Sequence, residues 1–380
     1  MDFCSAILFF PDSLTQTEEK TPLYLQTVWF CPALTWMLEE LNARGIKRFF
    51  IVSDSRAQEA MKAVVPDSLC VTWIDGANHG KLLLEQLPDA DEEVMILNGV
   101  VLPVGVFSGG AVYHASAAAC RKVLRDNGGF SAIPEGAEIM GGFLPVGDEE
   151  ELRAAQTMCR QKILEKLYAA GVTVIDPNTT YIDPRVVIGR GCTVLPGTIL
   201  RGNTTVGEDC TIGPNAMITD CTIGCGTTVN ASQLNNSTVG NHTTVGPFAY
   251  VRPNCQIGDH ARIGDFVELK NSVIGNGTKV SHLTYVGDSD VGERVNFGCG
   301  TVTTNYDGHK KFRCTIEDDS FIGCNTNLIA PVSVGKGSYI AAGSTITKPV
   351  PEDALAIARA EQKNKDGWAA KRRALWKGEK

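Results

Sequence analysis

The sequence predicts an α/β domain followed by a parallel β-helix, and the period of its aliphatic residues is the main reason. Between Ile182 and Ile346 a Val, Ile or Leu recurs at every sixth position in three unbroken runs, and Gly often follows it. A period of six fits neither the 3.6 residues of a helical turn nor the alternation of a two-sided strand. It is typical of hexapeptide repeats, each a short strand and a turn. The positions are Ile182, Ile188, Val194, Leu200, Val206, Ile212, Ile218, Val239, Val245, Val251, Ile257, Ile263, Leu269, Ile316, Ile322, Leu328, Val334, Ile340 and Ile346.

Residues 1–147 have a different pattern, which is the second observation behind the prediction. Short apolar segments predict strands, and an amphipathic segment between two of them predicts a helix, as in an α/β domain. The predicted strands are residues 6–10, 48–52 and 94–97, and the predicted helix is residues 33–44.

Residues 148–171 are predicted to form a connecting helix. Asp148 and the three glutamates after it are favourable at a helix N-terminus, and Gly171 is a typical C-terminal residue. An apolar stripe runs between them, formed by Leu152, Ala155, Cys159, Ile163 and Leu167. The β-helix is then expected over residues 172–348, followed by a basic arm over 349–380, with Trp368 and Trp376 as apolar anchors.

Composition excludes several classes of protein. The net charge of −8 argues against a nucleic-acid partner, and no apolar run approaches the roughly 18 residues of a membrane span. The N-terminus lacks the features of a signal peptide, and the 13 cysteines have no disulfide-like spacing. We therefore expect a cytoplasmic protein with reduced thiols and no membrane partner.

The six-residue period is interrupted between Phe297 and Ile316, where the segment includes Asn305, Tyr306 and His309. A β-helix can extrude such an insertion as a loop, and functional residues favour loops on a rigid scaffold. His309 is followed by two lysines, Lys310 and Lys311, and is expected to be exposed to solvent.

Two histidines, His242 and His260, are eighteen residues apart and follow core positions at the same offset. They are expected to stack on one outer face of the β-helix. A zinc site would need a third ligand at matching spacing, and none is present, so no metal is expected. His79 and His114 belong to the first domain and have no partner motif.

His282 lies where the repeat slips from six residues to five on both sides. Upstream, Arg252 and Lys270 are eighteen residues apart and should lie one above the other. Two stacked cations indicate an anion site, with phosphate as the natural ligand. The alternative is a surface ladder in which the cations pair with Glu or Asp.

Four motifs go beyond a generic hexapeptide pattern: residues 264–270, 281–285, 305–308 and 354–359. From about residue 149 to 368 the chain resembles the bifunctional bacterial enzymes that acetylate glucosamine-1-phosphate and then uridylylate the product to UDP-N-acetylglucosamine. The resemblance implies a left-handed β-helix and a homotrimer with active sites between subunits. It also implies that the N-terminal domain is a truncated, Rossmann-like nucleotidyltransferase domain.

The resemblance also implies roles for the acceptor site. His282 would be the general base for the sugar amine, and Glu268 would orient its imidazole. The remaining matches are Arg252 and Lys270 for the sugar phosphate, Tyr285 and Asn296 for the sugar, and Asn305 and Tyr306 for the amine and the acetyl group.

For the co-substrate acetyl-CoA the matching positions are Cys299, Cys324, Ala342 and Arg359. The family usually has Ala and Ser in place of Cys299 and Cys324, and a thiol beside a thioester raises the hypothesis of a covalent acyl-enzyme. Neither cysteine has a histidine close in sequence, so we expect thiol reagents to act by blocking the cofactor site instead.

The first domain departs from the family in three places. Residues 11–15 contain no Gly, Lys or Arg for a phosphate loop, Leu23 and Cys31 replace two lysines, and Gly99 stands where a metal-binding Asp is expected. The predicted function is N-acetylation of glucosamine-1-phosphate in UDP-N-acetylglucosamine and cell-wall precursor synthesis, without uridylyl transfer. The alternatives are an acetyltransferase for another amino sugar, the full bifunctional enzyme, or a non-catalytic scaffold.

Overall fold

The computed structural model describes residues 3–10, 21–103, 108–130 and 133–378. The chain divides into two compact units, Met1–Thr205 and Val206–Lys380. Within the described residues, no helix is long and apolar enough to cross a membrane.

The first unit begins with an α/β fold. Its elements are β1 Ser5–Phe9, β2 Thr27–Val28, β3 Cys31–Pro32, α1 Ala33–Ala43, β4 Arg48–Ser53, α2 Ser55–Lys62, β5 Cys70–Asp75, α3 His79–Gln86, β6 Glu93–Asn98, β7 Val100–Leu102, β8 Ser108–Ser116, α4 Ala117–Asn127, β9 Glu138–Gly141 and β10 Leu144–Val146. Six strands form a sheet in the order β5-β4-β1-β6-β8-β9, parallel from β5 to β6 and antiparallel beyond. The α/β class predicted for residues 1–147 is confirmed.

Helix α5, Glu149–Ala169, follows this sheet. The Asp148 side chain accepts a hydrogen bond from the Glu151 backbone N–H at 2.8 Å, which caps the helix. The predicted apolar stripe is buried, and Gly171 has the positive φ (+79°) of a helix-terminating residue.

A tight hairpin between β2 and β3 has two bulky residues at its tip. Trp29 and Phe30 have φ values of +45° and +67°, a region that large side chains rarely adopt. Contacts within the first unit hold this conformation. The Trp29 backbone N–H donates to Gln156 Oε1 at 3.1 Å, the Trp29 ring packs on Tyr181, and the Arg201 guanidinium lies over the Phe30 ring.

The first coils of the β-helix belong to this same unit. Their strands are β11 Thr173–Val174, β12 Tyr181–Ile182, β13 Val187–Ile188, β14 Thr193–Val194 and β15 Ile199–Arg201, with β16 Thr205–Val206 at the end of the unit. The first of these strands begins at Thr173. Tyr181 and Arg201 of these coils contact the hairpin, which joins the first coils to the first unit. Each coil of a solenoid otherwise contacts only its neighbours, so the start of the β-helix need not be a boundary between units.

The second unit continues as three parallel ladders of short strands. The first ladder is β17 Thr211–Ile212, β20 Thr228–Val229, β23 Thr244–Val245, β26 Arg262–Asp265, β29 Lys279–His282, β32 Asn296–Phe297, β35 Phe321–Ile322, β38 Tyr339–Ile340 and β40 Leu355–Ala356. The second ladder is β18 Met217–Thr219, β21 Gln233–Asn235, β24 Tyr250–Val251, β27 Glu268–Lys270, β30 Tyr285–Gly287, β33 Val302–Thr304, β36 Asn327–Ile329 and β39 Thr345–Ile346. The third ladder is β19 Thr222–Ile223, β22 Thr238–Val239, β25 Gln256–Ile257, β28 Val273–Ile274, β31 Ser289–Val291, β34 Cys314–Ile316 and β37 Val332–Val334.

The predicted core positions fill the interior of the β-helix. Every aliphatic residue in the three six-residue runs is at most 5% exposed, so the predicted parallel β-helix is confirmed. In the C-terminal helix α6, Trp368–Gly378, the two expected apolar anchors are not buried among the described residues: Trp368 and Trp376 are 59% and 57% exposed.

Candidate functional site

The side chains of His282 and Asp265 form a hydrogen-bonded pair on the first ladder. Strands β26 and β29 are longer here than in most coils, and their register places Asp265 directly beside His282. The distance from His282 Nδ1 to Asp265 Oδ1 is 2.6 Å. This hydrogen bond lowers the pKa of the Asp265 carboxyl group, more than burial raises it. An ionised carboxylate accepts the Nδ1 proton, which leaves the lone pair on Nε2.

The imidazole is available to a substrate. The His282 side chain is 51% exposed, and Nε2 has no hydrogen-bond partner among the residues that the structure describes. A histidine held in this tautomer can accept a proton at Nε2.

The prediction that Glu268 orients His282 is wrong. Glu268 Oε1 accepts a hydrogen bond from the Arg252 guanidinium at 2.9 Å, and Glu268 pairs in register with Tyr285 on the second ladder. The reason is the corner at Phe266, which has a φ of +54° and separates the strand of Asp265 from that of Glu268. Asp265 precedes His282 by 17 residues, which is about one coil, so the spacing alone indicates that the two residues are neighbours.

The stacking of Arg252 over Lys270 is confirmed. Strands β24 and β27 pair in register, and the Arg252 backbone N–H donates to the Leu269 carbonyl at 2.9 Å. Arg252 also pairs with Glu268, as the ladder alternative predicted. Lys270, in contrast, has no ion pair with a carboxylate in the described part of the chain.

A third cation, Lys311, joins this pair and was not identified from the sequence. Contact with the Lys311 side chain is the main cause that lowers the pKa of Lys270, followed by partial burial and the charge of Arg252. Lys311 lies in the loop between β33 and β34, where its backbone forms an isolated antiparallel β-bridge with Tyr306. Three positive charges close together are an arrangement that can attract a multiply charged anion.

The loop is anchored at Asn305, which is 8% exposed. Its Nδ2 donates to Asp288 Oδ2 and lies 3.4 Å from the Tyr285 hydroxyl. The Phe312 backbone N–H closes the loop on the Asn305 carbonyl at 2.9 Å. Tyr306, in contrast, is 55% exposed.

The predicted acceptor residues therefore lie on two adjacent ladders. Lys270, Tyr285 and Asn305 lie along the second ladder, together with the Arg252–Glu268 pair. Asn296 lies on the first ladder, as His282 does, one coil beyond Lys279.

The four predicted cofactor positions lie together along one corner. The Cys299 carbonyl accepts a hydrogen bond from the backbone N–H of the residue that follows Cys324, in the next coil. In the same way, the Cys324 carbonyl accepts from the N–H of Gly343, the residue that follows Ala342, at 2.8 Å. Arg359 lies beside Gly343: its Cδ would be 3.9 Å from a Cβ if the glycine carried one. Cys324 and Ala342 are exposed on the surface of the single chain.

The predicted stacking of His242 on His260 is confirmed, with ring centroids 5.3 Å apart. Within the described ranges, no group of three His, Cys, Asp or Glu side chains is arranged to hold a metal ion.

In the first unit, Cys31 and Gly99 stand where the resemblance implies a lysine and a metal-binding Asp. Cys31 is fully buried, and burial raises the pKa of its thiol to about 12. Gly99 occupies a turn after β6, with its N–H bonded to the Phe9 carbonyl at 2.7 Å. Residues 11–15, where a phosphate loop was expected to be missing, lie outside the described residues.

Comparison with known proteins agrees with the motifs. A family model described as bacterial transferase hexapeptide (six repeats) matches residues 185–220, 236–271 and 313–348. Over 250 residues the chain is 52% identical to the bifunctional protein GlmU of Geobacillus sp. (strain WCH70), covering 65% of this chain and 54% of that protein. A GlmU of Clostridium botulinum (strain 657 / Type Ba4) is 54% identical over 240 residues, 63% of this chain and 52% of its own.

The chain thus spans about half the length of the curated relatives it matches. The resemblance predicted from the motifs is confirmed over the matched part. The match to the crystal structure of an Arabidopsis UDP-N-acetylglucosamine acyltransferase covers 54% of this chain and 76% of that chain. The identity is 17% and the TM-score is 0.33, so this match supports no inference.

Proposed function

We propose that this chain, a relative of the bifunctional GlmU proteins over 65% of its length, transfers the acetyl group of acetyl-CoA to the amine of glucosamine-1-phosphate. The observation that carries the proposal is the His282–Asp265 pair, which leaves Nε2 basic and exposed. Arg252 and Lys270 on the neighbouring ladder, together with Lys311 from the loop after β33, would form the anion site. A base beside a phosphate site is what acetylation of an amino-sugar phosphate requires.

In this mechanism, His282 Nε2 removes a proton from the acceptor amine as its nitrogen attacks the thioester carbonyl. The carbon–sulfur bond breaks, and CoA leaves as the thiol after its sulfur takes up the proton that the His282 imidazolium gives back. Asp265 holds the imidazole ring and stabilises the imidazolium that forms. General base catalysis of this kind typically contributes on the order of 10²–10⁴ in rate.

The sugar phosphate and acetyl-CoA are proposed to bind to two different groups of residues. Lys270, Lys311 and Arg252 would bind the sugar phosphate, with Arg252 shared between the ligand and Glu268. The cofactor arm would lie along the corner of Cys299, Cys324 and Ala342, with Arg359 at a CoA phosphate. Tyr285, Asn296 and Tyr306 are proposed to contact the sugar and the acetyl group.

We propose a homotrimer whose subunits complete each site. The exposure of the candidate residues supports this arrangement, because His282 and Tyr306 are about half exposed and Arg359 lies on the surface of the single chain. A closed site needs further walls to exclude water.

Uridylyl transfer is proposed to be absent. A buried thiol at Cys31 and a turn glycine at Gly99 supply neither a cation for a triphosphate nor a ligand for magnesium. Leu23 likewise carries no charge. The chain would then supply N-acetylglucosamine-1-phosphate to a separate uridylyltransferase in a cytoplasmic pathway.

The alternatives predict different products, so one assay separates them. Purified protein is mixed with acetyl-CoA and a panel of amino sugars, including glucosamine-1-phosphate and a nucleotide-linked amino sugar, and free CoA is measured. Preference for glucosamine-1-phosphate supports the proposal; preference for another amino sugar, or no CoA release with any sugar, contradicts it. Pyrophosphate release after addition of UTP and magnesium to the product would contradict the loss of uridylyl transfer.

A further inference from the structure

Asp288 is a buried carboxylate at the base of the loop between β33 and β34. It is 6% exposed, and its backbone has a φ of +48°. Its Oδ1 accepts a hydrogen bond from Asn271 Nδ2 at 2.5 Å, and its Oδ2 accepts from Asn305 Nδ2. A buried carboxyl group needs such partners, and both of its oxygens accept from side-chain amides.

These contacts determine which way the amide of Asn305 points. A carboxylate can only accept hydrogen bonds, so the Asn305 amide must turn its nitrogen toward Asp288, because its oxygen would be repelled there. The second N–H of the same nitrogen faces the Tyr285 hydroxyl at 3.4 Å. Both N–H groups are therefore used inside the protein, and only Oδ1 is left for a ligand.

We infer that Asp288 is a positioning residue that makes Asn305 present a hydrogen-bond acceptor to the substrate, and that this selects an amine over a hydroxyl as the group to be acetylated. The inference rests on the proposed function. An ammonium or amine group carries enough N–H bonds to donate to both Asn305 Oδ1 and His282 Nε2. A hydroxyl carries one hydrogen and can satisfy only one of them, which leaves the other acceptor unpaired.

Removing Asp288 would allow the Asn305 amide to turn over and present its NH₂ group. That arrangement suits a hydroxyl, which can accept, and opposes an ammonium group, which cannot. Asp288→Gly is the suitable substitution, because glycine adopts the positive φ without strain.

The test compares glucosamine-1-phosphate with glucose-1-phosphate, which has a hydroxyl in place of the amine. Calorimetry gives the dissociation constant of each sugar for wild type and variants. In wild type we expect glucosamine-1-phosphate to bind at least about tenfold more tightly, the value of one hydrogen bond to a charged group. In Asp288→Gly we expect a ratio of about 1–2, with the glucose-1-phosphate constant changed less than about twofold.

Two further variants separate positioning from loosening of the loop. Asp290→Asn removes the charge that pairs with Arg313 at the other end of the same loop, while Arg313 keeps its hydrogen bonds to the Asn271 and Ser289 carbonyls. Asn305 is not altered, so this variant should keep the wild-type ratio. The exchange variant Asp288→Asn with Asn305→Asp can keep each hydrogen bond and still present an acceptor oxygen, so its ratio should remain at about tenfold or more. This pair also covers the case in which Asp288→Gly fails to fold.

Three results would overturn the inference: an unchanged ratio in Asp288→Gly, an equal loss in Asp290→Asn, or a wild-type ratio near 1 in a protein that acetylates glucosamine-1-phosphate. Failure of the proposed function would look different. In that case wild type would bind neither sugar and would release no CoA.

Discussion

Asp265 Oδ1 lies 2.6 Å from His282 Nδ1, across two adjacent coils of the β-helix. The strand register sets this distance, so the regular scaffold favours the His282 tautomer that carries its proton on Nδ1. The finding replaces Glu268 with Asp265 as the partner of the imidazole and leaves Glu268 to hold Arg252.

Replacement of Asp265 by Asn should impair acetyl transfer. An amide can donate to Nδ1 and would then place the ring proton on Nε2, where no base remains. We expect kcat to fall on the order of 10²–10⁴, with the KM for acetyl-CoA little changed, in steady-state assays of CoA release. Asp319→Asn is the matched control, since Asp319 pairs with Arg294 away from His282 and should keep wild-type kcat. An Asp265→Asn variant with full activity would remove Asp265 from the mechanism.

Acid unfolding should also report the Asp265–His282 contact. The pKa of Asp265 is lower in the folded protein than its ordinary value, so the contact stabilises the fold above about pH 4–5. This contribution is lost as the pH falls through the lowered pKa. Urea unfolding of wild type and Asp265→Asn between pH 2 and 7 should show a stability difference that is constant near neutral pH and vanishes in acid. A difference that grows toward acid would have the wrong sign.

Lys311→Ala should weaken substrate binding while stabilising the free protein. Because the pKa of Lys270 is lowered by Lys311, protonated Lys270 is disfavoured in the folded state, and this reduces stability at neutral pH. We expect a higher melting temperature in phosphate-free buffer. The KM for glucosamine-1-phosphate should rise by about tenfold or more, the value of a charge-assisted hydrogen bond. Lys310→Ala is the control from the same loop. Equal changes in both variants would show that Lys311 has no specific role.

Thiol reagents should distinguish the cysteines by burial. Cys31, Cys120 and Cys159 are fully buried with pKa values raised to about 12 by burial, so they should not react at pH 8 in the folded protein. Cys324 is exposed and should react, with loss of acetyltransferase activity and protection by acetyl-CoA. Mass spectrometry of labelled peptides checks the sites. Labelling of Cys324 that acetyl-CoA does not slow would contradict a position for Cys324 at the cofactor.

Much of the second unit could be predicted from the sequence because a solenoid converts spacing into position. The six-residue period identified the core residues and placed Arg252 over Lys270 and His242 over His260. The same spacing indicates that Asp265 lies beside His282, whereas the family resemblance favoured Glu268.

The remaining features depend on local geometry that has no period. Phe266 turns the chain at a positive φ and separates Glu268 from His282. Lys311 returns to Lys270 through an irregular loop, and Asp288 is aligned with Asn305 only by the fold of that loop. The hairpin tip at Trp29 and Phe30 opposes local preference, because both residues adopt positive φ and tertiary contacts hold them.

The central claim is that His282 is the general base of an acetyl transfer to glucosamine-1-phosphate. The most direct measurement is the initial rate of CoA release from acetyl-CoA and glucosamine-1-phosphate by wild type and His282→Ala, with His309→Ala as the control on the exposed loop. We predict a rate well above background for wild type and His309→Ala, and a loss on the order of 10²–10⁴ for His282→Ala. Equal CoA release by wild type and His282→Ala, at matched melting temperatures, would contradict the claim.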